Sequence, residues 1–183
     1  MNSSAFFPGT KVTVSQTGLL TGIFSLTKGI TLAQVCELTG IEPSTIQNWI
    51  KRGYVNPPEK RRYSKRQVAR IIIINMLRDT MVIERIARLL GYVNGDLLDI
   101  SDDIMDDSEI YTHLCDIIMP TDISNVIDVE ALLDAVDAHL DGFTGSRPDA
   151  RERLSLALKV IICNYESANL KRYADRLAKK MDL

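Results

Sequence analysis

Histidine is nearly absent from the chain, with only His113 and His139, and the three cysteines, Cys36, Cys115 and Cys163, are odd in number and far apart. The first shortage leaves any acid–base pair to be assembled from scattered carboxylates. The second fits reduced thiols better than a disulfide framework. There is no glycine-rich phosphate loop, no nucleophile elbow and no HExxH pair, so the chain is not expected to be an enzyme and no cofactor is expected. His113 and Cys115 stand two apart on a helical pattern and therefore point apart, which weakens a metal site. Long hydrophobic runs are missing too. The longest aliphatic stretch, Ile71, Ile72, Ile73 and Ile74, falls far short of the roughly 20 residues that cross a bilayer. The start of the sequence lacks a cationic segment leading into an apolar core and a cleavage site, so the expected location is the cytoplasm, with no membrane partner.

What the sequence does have is unevenly placed charge. The formal net charge is −2, yet residues 1–88 hold 13 basic and 5 acidic side chains, residues 89–146 hold 14 acids and no lysine or arginine, and the remainder holds 9 bases and 5 acids. One part is suited to meet a polyanion and another to avoid it. The richest stretch is NWIKRGYVNPPEKRRYSKRQ, residues 48–67, with seven cations and one acid.

Spacing of apolar residues predicts a mainly helical, all-α chain with a small wing. Residues 1–13 read as an irregular arm in which Phe6, Phe7 and Pro8 tuck inward, and a short helix is expected over 15–26. Thr31 caps a helix bearing Leu32, Val35, Cys36 and Leu38, which Gly40 stops. Pro43 opens the next helix, whose inward face is Ile46, Trp49 and Ile50, with Gly53 at its end. Two short helices around a three-residue turn containing glycine are a helix-turn-helix signature. The segment 54–63, with Pro57-Pro58, has room only for a ribbon or loop. Ser64 and Gln67 form a capping box for a third helix, covered on two sides. A fourth helix is expected over 82–90, stopped by Gly91. The acidic, turn-rich residues 94–108 read as a boundary, followed by helices over 109–119, 128–140 and 149–180. The expected organisation is thus an arm and short helix (1–30), a winged helix-turn-helix domain (31–93), an acidic linker (94–108) that stays solvated and repels DNA, and a C-terminal helical bundle (109–183). The aspartates of that linker lack the spacing and central glycine of a calcium loop.

The ordered series Pro43-Ser44-Thr45, Trp49, Arg52-Gly53, the wing prolines, Tyr63-Ser64 and Ile86-Leu89-Leu90, spread from Thr31 to Tyr92 over about a third of the chain, resembles the winged DNA-binding domain of the mercuric-resistance-regulator (MerR) superfamily. Within it, the chain looks most like a bacterial family of uncharacterised transcriptional regulators whose domain is known only as one of unknown function. The resemblance implies DNA binding and a dimer. Gln47 stands where that superfamily usually has an arginine, the wing is shorter, and Ile50 replaces a residue that is commonly charged.

With Ile46, Trp49 and Ile50 inward, Ser44, Thr45, Gln47, Asn48 and Lys51 are left facing out. Amides suit bidentate reading of adenine and a threonine methyl suits thymine, so Ser44, Thr45, Gln47 and Asn48 are the candidate base contacts. Lys51, Arg52, Lys60, Arg61, Arg62, Tyr63, Lys65 and Arg66 are the candidate phosphate contacts; Tyr63 serves equally well as the aromatic that pins the wing to the core. The expected partner is double-stranded DNA, bound by a homodimer acting as a transcriptional regulator. The alternatives are a protein-interaction adaptor on the same fold, whose basic face meets an acidic partner, and a regulator gated by a small-molecule effector held in the C-terminal helices.

Overall fold

The structure is a computed structural model and describes residues 6–13, 18–95, 97, 99, 101–119 and 129–181. Those residues form helices joined by turns, with only isolated antiparallel bridges and no strand among them. Two short helices come first after the arm, α1 (Leu19–Phe24) and α2 (Leu32–Thr39). α2 begins on the Thr31–Gln34 capping box, in which each side chain satisfies the other residue's backbone N–H. It ends at Gly40, whose φ of 72° is a left-handed stop that a residue with a Cβ adopts only under strain. Pro43 then occupies the first turn of α3 (Pro43–Lys51), where its missing N–H costs nothing.

The centre of the molecule is α4 (Lys65–Leu77), started by a second capping box between Ser64 and Gln67. Val68, Ala69, Ile71, Ile72, Ile73, Ile74, Met76 and Leu77 are all buried. A helix buried in consecutive positions is covered on every side, and α1, α2, α5, α6 and α8 supply that cover. Each isoleucine there contributes about 1.5–3 kcal/mol of transfer free energy. α5 (Ile83–Asn94) runs past Gly91, where a stop was expected. The interior glycine is tolerated because Val93 and Asn94 beyond it are buried and Asn94 donates to Asp107.

The rest is α6 (Asp107–Ile118), α7 (Val129–His139) and α8 (Ala150–Lys179). α6 starts earlier than expected because Asp106 caps it, accepting from the Ser108 N–H. α6 and α8 both pack on α4, and one hydrophobic core runs without a break from Phe7 to Ile162. The acidic stretch expected as a solvated linker is built into this core at both ends, through Asn94 and Asp107; Asp96 and Asp128 lie outside the described residues. The arm is integral as well. Phe7 is buried while Phe6 stays exposed, the Asn75 side chain donates to the Gly9 carbonyl, and the Tyr111 hydroxyl donates to the Pro8 carbonyl at 2.8 Å. Residues 1–5 of the expected arm and 15–17 of the expected first helix lie outside the described residues.

Candidate nucleic-acid interface

α3 is polar on one side and apolar on the other. Ile46 and Trp49 are buried and Ile50 is half-buried against the core, which fixes the roll of the helix. Ser44, Gln47, Asn48 and Lys51 are consequently exposed, and Thr45 is half-buried at the edge. Lys51 sits in the last turn, where a cation complements the helix dipole. Gly53, at φ 75°, turns the chain out of α3.

The segment 54–63 is tied down along its length. Arg70 Nε donates to the Tyr54 carbonyl at 2.8 Å, and Gln67 Nε2 donates to the carbonyls of Asn56 and Pro57 at 2.9 and 2.8 Å. At the far end Tyr63 and Ile30 exchange backbone hydrogen bonds of 2.7 and 3.0 Å. Between these anchors, Glu59 and Arg62 pair across a two-residue turn closed by the Arg62 N–H donating to the Glu59 carbonyl at 2.8 Å. Lys60 and Arg61 form the tip at φ 47° and 61°. Two successive positive φ values define the turn that normally takes Asn-Gly. A left-handed conformation costs an ordinary L-residue roughly 1–2 kcal/mol. The fold therefore holds two long cations out on a firm base, in a conformation their backbones do not favour.

The twelve candidate residues separate into groups. Lys51, Lys60, Arg61, Arg62 and Lys65 have no carboxylate within ion-pair distance among the described residues, although Arg62 also donates to the Gly29 carbonyl. Arg52 is paired with Glu84, which also accepts from the Tyr54 hydroxyl at 3.1 Å, and its guanidinium lies over the Tyr54 ring. Backbone hydrogen bonding first, then the Tyr54 hydroxyl and Arg52, hold the Glu84 carboxyl below its ordinary value. Tyr63 is 3% exposed, and burial pushes its phenol up. It is thus the core anchor of the turn rather than a phosphate contact.

Arg66 is drawn away from the surface. Its Nη1 lies 2.5 Å from Asp103 Oδ2, and its Nε lies 3.8 and 3.7 Å from Asp106 and Asp107. Burial alone would lower its pKa, but the Asp103 hydrogen bond and the charges of Asp107, Asp103 and Asp106 outweigh burial and raise it. One turn further, Arg70 Nη1 reaches Asp107 at 3.1 Å, and Asn94 Nδ2 donates to the same carboxylate at 3.0 Å. Asp107 is 0% exposed. Burial pushes its carboxyl up while Arg70 and then Arg66 pull it down. This buried cluster binds α4, α5, α6 and the segment after α3 into one unit. Sequence reading missed it, although a lone arginine before four isoleucines was a signal, since a buried charge requires a partner.

His113 and His139, which nothing in their positions suggested were neighbours, approach at 2.6 Å between Nδ1 and Nε2 across the α6–α7 contact. No group of three metal-ligating side chains forms among the described residues, and no helix among them is long and apolar enough to cross a membrane.

This geometry frames the comparison with known proteins. Residues 26–114 match the family described as Domain of unknown function (DUF1836). The matched span runs from before α2 into α6, so it takes in both the exposed face of α3 and the Arg66–Arg70–Asp107 cluster. Over 80 residues the chain is 31% identical to Uncharacterized protein YkrK of Bacillus subtilis (strain 168), a match that covers 42% of this chain and 34% of that protein. The chain thus spans about a third of the length of the curated relative it matches. No solved structure matches it.

Proposed function

We propose that the protein is a DNA-binding transcriptional regulator in which α2 and α3 form a helix-turn-helix and the turn at Lys60-Arg61 is a short wing. α3 enters the major groove with Gln47 and Asn48 against base edges and Ser44 and Thr45 near its start. Lys51, Lys60, Arg61, Arg62 and Lys65 lie against phosphates. The observation that carries this reading is the strained, anchored turn that holds outward two cations with no ion-pair partner among the described residues. Backbone strain at an exposed tip is kept where the tip has work to do, and a tip of this charge is suited to a polyanion.

Fluorescence anisotropy with random and selected duplexes over a salt series tests it. Five phosphate contacts per chain give a slope of about −4.5 in log affinity against log salt. A regulator prefers selected over random duplex. Absence of duplex binding at low salt overturns the proposal, and salt-dependent binding to an acidic protein in its place points to the adaptor reading.

A further inference from the structure

The arm, the end of α4 and the second half of α8 meet around a cleft of about 350 Å³, a volume within the range of small-molecule pockets. The arm contributes Phe6 and Thr10, α4 and the turn after it contribute Arg78 and Asp79, and α8 contributes Asn169 and Arg172. Charge in this lining does not balance. Among the described residues Asp79 is its one acid, and Arg172 takes it, with Nη1 at 2.9 Å from Oδ2, while Nη2 of the same guanidinium donates to Asn169 Oδ1 at 2.6 Å. Arg78 is left with no carboxylate within ion-pair distance among the described residues. A guanidinium fork in that position is suited to a carboxylate or a phosphate, which it holds through two parallel hydrogen bonds. Phe6 supplies an apolar surface for the rest of a ligand, since it is 55% exposed while Phe7 beside it is buried.

The arm that forms part of the cleft also reaches the turn between α2 and α3. The Asn75 side chain donates to the Gly9 carbonyl at 2.8 Å and to the Thr39 carbonyl at 3.2 Å, and the Lys11 N–H donates to the Leu38 carbonyl at 2.9 Å. Leu38 and Thr39 are the last two residues of α2. We propose that the cleft binds a small organic anion, with its carboxylate or phosphate on Arg78 and its apolar body against Phe6, and that the bound anion fastens the arm between α4 and α8. A molecule that bridges elements of the native state stabilises their contact by mass action. Binding therefore steadies the arm, and through Lys11 and Asn75 it steadies the end of α2 from which α3 departs. The site stands whether or not the chain reads DNA; only the consequence for α3 rests on that reading.

Nuclear magnetic resonance titration of the labelled full chain without DNA is the test. Phenylacetate and phenyl phosphate distinguish the two kinds of anionic head, and neutral phenylacetamide controls for charge. At least one of the two anions shifts the backbone amide signals of Thr10, Asn169 and Arg172, with a Kd in about the millimolar range expected of a fragment of about ten heavy atoms. Phenylacetamide leaves those signals in place. Arg78→Gln weakens the anion at least about tenfold, and Arg78→Lys recovers part of the loss. Both variants keep the thermal unfolding of the wild type, because Arg78 is exposed. Hydrogen exchange at the Lys11 amide slows when the anion is bound. Shifts with neither anion, equal shifts with phenylacetamide, or an Arg78→Gln chain that binds as the wild type does overturns the site. Unchanged exchange at Lys11 overturns the fastening of the arm.

Discussion

The turn holding Lys60 and Arg61 and the first half of α4 holding Arg66 and Arg70 lie within ten residues of each other, and both are strongly basic. Their environments are opposite. The turn projects its cations with no acid in ion-pair distance among the described residues, at a cost in backbone strain. α4 sinks its arginines among Asp103, Asp106 and Asp107 and uses them to fasten α6 to the rest. A run of positive charge therefore says little about function until each charge has been matched to its partner. Here the run divides into an outward half suited to a ligand and an inward half occupied by the fold.

The sharpest way to break this contrast is to remove one buried partner. Asp107→Ala strands the Arg70 guanidinium in the core and costs about 3–5 kcal/mol, whereas replacing both residues together, as Arg70→Met with Asp107→Leu, recovers most of that loss. Urea denaturation measures both, and Arg61→Ala, measured alongside, changes stability by no more than about 0.5 kcal/mol. On the outward side, Gln47→Ala or Asn48→Ala lowers discrimination between selected and random duplexes by about 1–3 kcal/mol. Lys60→Ala and Arg61→Ala weaken binding to every duplex alike, each flattening the salt slope by about 0.9, which an anisotropy titration separates from the amide variants.

Smaller again is the strain itself. Arg61→Gly relieves a left-handed residue and raises stability by about 1 kcal/mol, seen in thermal unfolding, while weakening DNA binding. A melting point that falls instead means that the Arg61 side chain supports the fold.

The smallest effect concerns pH. Burial first, and then the neighbouring His139, hold His113 below its ordinary value of 6.5, against the opposing pull of Asp116 and Glu109. The unfolded chain then takes up the proton first, so this contribution is intact above pH 6.5 and is lost as the pH falls below it. His113→Gln removes that dependence, which denaturation at pH 7.5 and pH 5.5 resolves.

Local chemistry was legible in the sequence. The caps at Thr31 and Ser64, the stop at Gly40, Pro43 in the first turn of α3 and the inward Ile46 and Trp49 each depend on neighbours within a few residues, and the structure has them as read. Gly91 misled because a glycine ends a helix only when nothing beyond it has a reason to continue, and Asn94 has one in Asp107. The role of Arg70 was not readable, since its carboxylate partner lies 37 residues away and no spacing rule spans that distance.

The bond from Tyr111 to the Pro8 carbonyl joins positions 103 residues apart. During synthesis at about 5–20 residues per second, the segment around Pro8 waits roughly 5–20 s for its docking site to exist. The arm is thus among the last parts to find its place, and until then Phe7, buried in the finished core, is open to chaperones and proteases.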